Sequence, residues 1–444
     1  MTPLSRRSFL TTSALATAGL ASLTGCSRNS NNTTDSRPRF HPLEGLAREN
    51  LKITDVKVLP LSYVDPNRNL WRSGDMIVWK TDGAITQIFT DQGIIGIGEG
   101  TPYQGPDYLK EFTEKEIRPL LIGKNPFDIE LYNARGSSRH ERAPWAGIDC
   151  ALWDIIGKVK GVPVYQLLAT HNEPRTEIPV YASGGDYHEW YDNGEETLIN
   201  EALSYKEQGY DCFKFRQGTS WQFSNMTLEK YIPILGRLRE AVGPDFRLCH
   251  ESMGATGVPM DQVVKEFCPA LEELGFYWFE EGPGGTLPSH MDIFRQFNEA
   301  MPNVMVTGGE RFLNRFESQI WLDEGLLDII QTDCNVTGVT ENWYISQMAH
   351  ARGIHSIPHN WHGGGTTMSN AHFTAAIPNG SYCELNQTYN RLLDQIFKEP
   401  YEVKNGMLKL SDKPGYGVEL IDDIEKKFPF APGTYRRPNP RIQK

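Results

Sequence analysis

The sequence predicts an α/β protein, a parallel strand–helix barrel preceded by a small α+β domain. Three observations predict it. Short apolar strands recur eight times between residues 176 and 395, most of them separated by helix-length segments, which is the pattern of a parallel barrel. Nearly every one of these strands ends on a charged or polar residue, as expected where such a barrel carries its catalytic face. An alternating, glycine-punctuated stretch precedes them, and a chain of 444 residues with 39% hydrophobic and 11% aromatic residues can bury two such domains.

Residues 1–26 read as an export signal. "SRRSFL" is a twin-arginine motif, "TTSALATAGLASL" its short, weakly apolar core, and "LTGC" resembles a lipobox acylated at Cys26. The apolar run is shorter than the roughly 20 residues a membrane span requires. The expected membrane contact is therefore the lipid on Cys26, and the expected location is the periplasm or cell envelope. Residues 27–50, rich in Asn, Ser, Thr and Arg, are expected to form a flexible tether. A net charge of −12 without a basic tract argues against a nucleic-acid partner. Cys150, Cys212, Cys249, Cys268, Cys334 and Cys383 show no CxxC or zinc spacing, so buried free thiols are expected, although export leaves a disulfide open.

Residues 51–175 form the expected α+β domain. "LKITDVKVLPLS" and "AITQIFTDQGIIGIGEG" suit an antiparallel meander. In "WAGIDCALWDIIGKVKGVPVYQLL", Ile148, Ala151, Leu152, Ile155 and Ile156 make one apolar helix face.

The barrel strands are "IPVYASGG", "CFKFR", "FRLCHE", "FYWFEE", "VMVTGGE", "IIQTD", "HSIPH" and "YCELN". Glu251, Glu280 and Glu310 end three successive strands, 29 and 30 residues apart. Neighbouring strands lie about 5 Å apart, so three inward carboxylates converge, and they repel one another unless a cation holds them. All-oxygen ligation favours Mg²⁺. In "FEEG", Glu280 is the expected ligand, while Glu281 is expected to point out towards a helix or a supporting partner. Lys214 and Arg216 share one face of "CFKFR". Asp333 and His359 end consecutive strands, so the carboxylate can fix the imidazole in one tautomer and raise its basicity. His362 competes with His359 for that role. Glu384 follows in "YCELN".

These motifs resemble the enolase superfamily, specifically the mandelate racemase/muconate lactonizing enzyme-like proteins of the mandelate racemase subgroup. The resemblance rests on "GIDCALWDIIGKVKGVPVYQLL", the three glutamates, the Asp333–His359 pair and the tail "NRLLDQIFKEPYEVKNGMLKLSDKPGYGVEL", and covers Leu51 to about Phe430. It implies a modified TIM barrel, (β/α)7β, under an N-terminal α+β capping domain, with residues 396–444 returning to the cap. It also implies one Mg²⁺, abstraction of the proton α to a carboxylate by a Lys or His base, and a homo-oligomer. His359 is then the base, Asp333 its orienter, and Glu384, if protonated, a hydrogen-bond donor to the substrate carboxylate. Trp71, Arg72, Arg139 and His140 lie in segments where this family puts its lid and a second specificity loop, and are expected to reach distal hydroxyls or a second carboxylate; Tyr103, Trp361 and His362 are further expected substrate contacts.

Two departures shape the expected function. Glu251 and Met253 replace the family's Asp and Asn, and Arg216 replaces its second lysine. Arginine stays protonated, which disfavours a two-base racemase. The expected activity is a Mg²⁺-dependent acid-sugar dehydratase giving a 2-keto-3-deoxy acid. The alternatives are a lactone cycloisomerase, β-elimination from a uronate, a racemase or epimerase, and a non-catalytic lipoprotein that binds sugar acids.

Overall fold

The computed structural model describes residues 40–442 except 68–69, 74, 134 and 219–220. The signal motifs and Cys26 lie outside the described residues. No helix among the described residues is long and apolar enough to cross a membrane. The last part of the expected tether lies against the cap: His41 Nε2 is 2.7 Å from Glu130 Oε1, and Asn125 Nδ2 donates to the Glu49 carbonyl at 2.7 Å.

The cap contains β1 (Ile53–Tyr63), β2 (Trp71–Ser73), β3 (Met76–Val78), β4 (Thr81–Thr90) and β5 (Ile95–Glu99). β1, β4 and β5 form the predicted antiparallel meander. Its face packs on α1 (Arg139–Lys160), buried on all sides from Arg142 to Gly157. The Ser138 side chain caps the start of this helix and Gly161, at φ 68°, ends it. The glycines of "GIGEG" let the helix approach the sheet, since a Cβ at Gly98 would lie 2.3 Å from the Gly147 carbonyl oxygen.

The barrel is built from β6 (Glu177–Gly184), β7 (Cys212–Arg216), β8 (Arg247–Glu251), β9 (Trp278–Glu280), β10 (Met305–Gly308), β11 (Ile329–Ile330), β12 (His355–Ser356) and β13 (Cys383–Asn386), all parallel in the order β13-β6-β7-β8-β9-β10-β11-β12. Helical segments separate successive strands, which makes this the expected (β/α)7β arrangement. At the seam between β12 and β13, side-chain amides bridge the two chains: Asn360 Nδ2 donates to the Glu384 carbonyl at 2.8 Å, and Asn386 Nδ2 to the Trp361 carbonyl at 2.5 Å.

Side chains inside the barrel follow a period of two. Tyr181, Cys212, Cys249, Trp278, Ile329, Ile357 and Tyr382 form one apolar layer. Two residues further along each segment stand Ser183, Lys214, Glu251, Glu280, Gln331, His359 and Glu384. A dry plug therefore lies directly beneath a polar layer. All six described cysteines are buried and free, with Cys212 and Cys249 Sγ 3.5 Å apart.

The C-terminal segment works at both ends of the barrel. β14 (Glu402–Lys404) and β15 (Met407–Lys409) form a hairpin paired to the start of β6. The chain then crosses to the cap, bridging Leu61 through Pro429, and β16 (Arg436–Pro438) pairs with β3 to complete a three-stranded sheet with β2.

Candidate active site

A cavity of about 710 Å³ opens between the C-terminal ends of the barrel strands and the cap. Glu251, Glu310, Arg216, His359, Trp361 and His362 line it from the barrel, and Trp71, Tyr103, Arg139 and His140 from the cap. Lys214, Glu280, Asp333 and Glu384, each at most 1% exposed, lie beneath its floor. Arg72 is elsewhere: its guanidinium turns to the Leu70 carbonyl at 2.7 Å and to Glu189 at 3.0 Å, so its expected reach towards substrate is not met.

Lys214 is the hub of the floor. Its Nζ lies 2.9 Å from Glu251 Oε2, 3.1 Å from Glu280 Oε1 and 2.9 Å from Glu384 Oε1. Burial opposes the charged ammonium, but these three carboxylates outweigh it and hold its pKa well above the ordinary value. Glu280 Oε2 also accepts from Trp278 Nε1 at 3.1 Å and Gln331 Nε2 at 2.8 Å. Burial pushes the Glu384 pKa up, but Lys214 and His359 pull it further down, and its Oε2 accepts from the Asn360 amide at 2.7 Å. Donors thus face both Glu384 oxygens, which places it as an acceptor; the donor role it would take if protonated is not the one these contacts favour.

Arg216 is pinned. Its Nη1 is 3.0 Å from Glu251 Oε1, its Nε 3.3 Å from Asp186, and its plane lies 4.8 Å from the centre of the Trp361 ring. Asp186 is a neighbour that strand alternation could not flag, because it lies in the loop after β6.

His359 and Asp333 meet as predicted, with Nδ1 to Oδ2 at 2.8 Å. Asn370 Nδ2 donates to Asp333 Oδ1 and to the His359 carbonyl, both at 3.0 Å, fixing the pair from the side. Asn370 lies on α2 (Gly364–Ala376), a helix buried all along its length, where one asparagine carries no visible sequence signal. His359 Nε2 faces Glu310 at 3.3 Å. Burial alone would lower the His359 pKa, but Glu310, Glu384 and Asp333 push it up to about 10. His362 is different: burial and the neighbouring cations push its pKa down to about 3, and its Nε2 lies 2.5 Å from Thr101 Oγ1. A group so weakly basic is a poor proton acceptor, which leaves His359 the better base.

Glu281 departs from expectation. The backbone there adopts φ 44°, and the side chain lines the cavity, meeting supporting partners there and not a helix. It accepts from Thr286 Oγ1 at 3.1 Å and lies 3.8 Å from Arg311. Burial and the adjacent Glu310 push its pKa up to about 8.

The three expected ligands do end adjacent strands, with Glu251 directly opposite Glu280 in the parallel register. They do not converge on one point, and among the described residues no three His, Cys, Asp or Glu side chains gather closely enough to hold a metal ion. Glu251 and Glu280 are drawn to Lys214, and Glu310 to His359 and Arg311. The donor chemistry still fits a hard cation. All three are carboxylates, and Glu251 Oε2 is buried beside the ammonium without a well-directed hydrogen bond.

Residues 76–169 match a family model described as the mandelate racemase / muconate lactonizing enzyme N-terminal domain, and residues 197–424 one described as enolase C-terminal domain-like. An arabinonate dehydratase from Saccharolobus solfataricus is 30% identical over 387 residues, covering 85% of this chain and 99% of the relative. A D-galactarolactone cycloisomerase from Agrobacterium fabrum is 27% identical, covering 78% and 90% respectively. Among solved structures, a 3,6-anhydro-D-galactonate cycloisomerase from Zobellia galactanivorans gives a TM-score of 0.70 at 26% identity, over 85% of this chain and 99% of that one. An enolase-superfamily member from Polaromonas sp. JS666 gives 0.74 at 28% identity, over 86% and 99%.

Proposed function

Because the chain belongs to the enolase superfamily, in its mandelate racemase and muconate lactonizing enzyme group, we propose that it is a Mg²⁺-dependent dehydratase converting a sugar acid to its 2-keto-3-deoxy acid. The observation that carries this reading is the Asp333–His359 pair facing the cavity, with a guanidinium in place of a second base. Bound Mg²⁺, held by Glu251, Glu280 and Glu310, would compensate these carboxylates and stabilise negative charge developing on the substrate carboxylate.

His359 takes the α-proton on Nε2, while Asp333 holds the Nδ1 proton and the ring orientation. Glu310 favours the imidazolium, so His359 reaches its basic form when the Glu310 charge is compensated. The C–O bond to the β-hydroxyl then breaks, the proton gained by His359 goes to the departing oxygen, and water leaves. The resulting enol tautomerises to the 2-keto acid. Arg216 stays protonated, since burial is outweighed by Glu251 and Asp186, so it binds anionic oxygen and does not remove a proton. That asymmetry favours elimination over racemisation. The two cycloisomerase relatives favour lactone isomerisation by the same single base as a second reading.

In the same reading the protein is exported by the twin-arginine route, held to the envelope by a lipid on Cys26, and acts as a homo-oligomer on small sugar acids without nucleic acid. Labelling with a palmitate analogue, abolished in Cys26→Ser, tests the anchor. For the activity, the full-length protein with Mg²⁺ is assayed for 2-keto acid against aldonic, aldaric and uronic acids and lactones, beside His359→Asn. The expected result is keto product from at least one acid and none from the variant. Turnover retained in the variant moves the base elsewhere, and saturable binding without turnover favours a non-catalytic receptor.

A further inference from the structure

Among the described residues, four lysine and arginine side chains from the barrel and cap line the cavity besides Arg436, and three of them are already answered. Lys80 pairs with Asp82 at 2.9 Å, Arg216 with Glu251 and Asp186, and Arg311 with Glu310 and Glu281. Arg139 is not. It opens α1, lies with its guanidinium 3.8 Å from the centre of the Tyr103 ring, and has Nε and Nη2 buried without a hydrogen-bond partner among the described residues. Buried N–H donors left unmet are costly, and those of a charged group more so. Arg139 feels Glu310 across the cavity without pairing to it.

The C-terminal strand adds a second guanidinium to this wall. β16 reaches the cap by pairing with β3, which brings Tyr435 and Arg436 to the cavity, Arg436 4.8 Å from the Tyr435 ring centre. Arg139 and Arg436 both act on His362, which burial and these charges keep neutral. Two arginines, one from the cap and one from the C-terminal strand, thus stand near the uncharged His362 imidazole of the barrel, above a floor already rich in carboxylates.

We infer that Arg139 and Arg436 form a second anion subsite, and that the substrate is a diacid whose distal carboxylate docks there. The inference rests on the reading of the barrel mouth as a sugar-acid site. A planar fork with free N–H groups matches a carboxylate in bidentate contact, whereas the terminal hydroxyl of an aldonic acid would leave its charge uncompensated. Six-carbon aldarates, which carry a carboxylate at each end, are the chemical class that fits.

The test is isothermal titration of the full-length His359→Asn protein, in Mg²⁺, with matched pairs that differ only at C6: galactonate and galactarate, gluconate and glucarate. The expected result is tighter binding of at least one aldarate than of its aldonate, by about tenfold for charge-assisted contacts. Adding Arg139→Met removes that preference, weakening the aldarate by about tenfold more than it weakens the matched aldonate. Arg436→Gln reduces the preference at an unchanged melting temperature, so the result does not depend on Arg139→Met folding normally. Equal affinity for both members of every pair, or a preference that survives Arg139→Met, overturns the diacid inference alone. Failure of every acid to bind overturns the sugar-acid reading and the inference with it.

Discussion

Lys214 carries an ammonium with 1% exposure among three carboxylates. Removing one partner of a buried ionic group typically costs about 3–5 kcal/mol, because the remaining charges lose their compensation. Lys214→Met is expected to destabilise the protein on that scale in EDTA, and Mg²⁺ is expected to restore part of the loss by neutralising Glu251 and Glu280; urea unfolding in both conditions reads it. A variant equally unstable with and without Mg²⁺ would count against cation binding at these carboxylates. At the base, Asp333→Asn keeps the shape but cannot accept the His359 Nδ1 proton in the same way. It is expected to lower kcat by about a thousandfold at nearly unchanged stability, checked by steady-state kinetics beside thermal melting. His359, Asp333 and the three glutamates were legible because each ends an apolar strand and so breaks its pattern. Glu281 was not, since its side-chain direction follows from a backbone turn at φ 44° that two adjacent glutamates do not announce.

At the scale of elements, β5 presses its glycines against α1. Gly98→Val would place methyl groups against the backbone at Gly147 and Ala151, so a loss of about 1–3 kcal/mol from overpacking is expected in chemical denaturation. Between those glycines, Glu99 is 1% exposed and its Oε2 accepts the Thr366 amide, near the start of α2, at 2.9 Å. Burial, more than that amide can offset, pushes its pKa up to about 7. The folded state therefore holds a proton that the unfolded chain releases near its ordinary value of 4.5. The stability this confers is complete at acid pH and lost as pH rises through about 7. Glu99→Gln is expected to shrink the fall in stability between pH 5 and 8 by on the order of 2 kcal/mol. The fall is not abolished, because Asp149, pushed up to about 6 by burial, titrates in the same window. Unfolding in urea at both pH values decides it. The meander and the helix were visible as alternation and as an apolar stripe. The joint between them and α2 was not, because a lone glutamate between glycines reads as a turn until its partner across the domain boundary is known.

For the molecule as a whole, the barrel stands without covalent staples among its described residues: six cysteines are buried and free. Loss of a native disulfide from a small domain typically costs about 2–5 kcal/mol, so a melting temperature unaffected by reductant is the expected outcome. A clear drop on adding dithiothreitol would mean that Cys212 and Cys249, whose sulfurs lie 3.5 Å apart, have joined. The eight-strand repeat fixed the architecture from local pattern alone. The path of the last fifty residues did not emerge that way, since three-residue strands such as β14 and β16 are too short to show a period and take their conformation from the sheets they join.

That final strand sets a timetable. Tyr435 and Arg436 belong to the pocket wall, yet ribosomes deliver them well after the last barrel strand, so a nascent chain can assemble its barrel while the binding chamber still lacks one side. Complete substrate recognition waits until that strand has joined the cap, and a chain cut before Tyr435 would carry a barrel with an unfinished room.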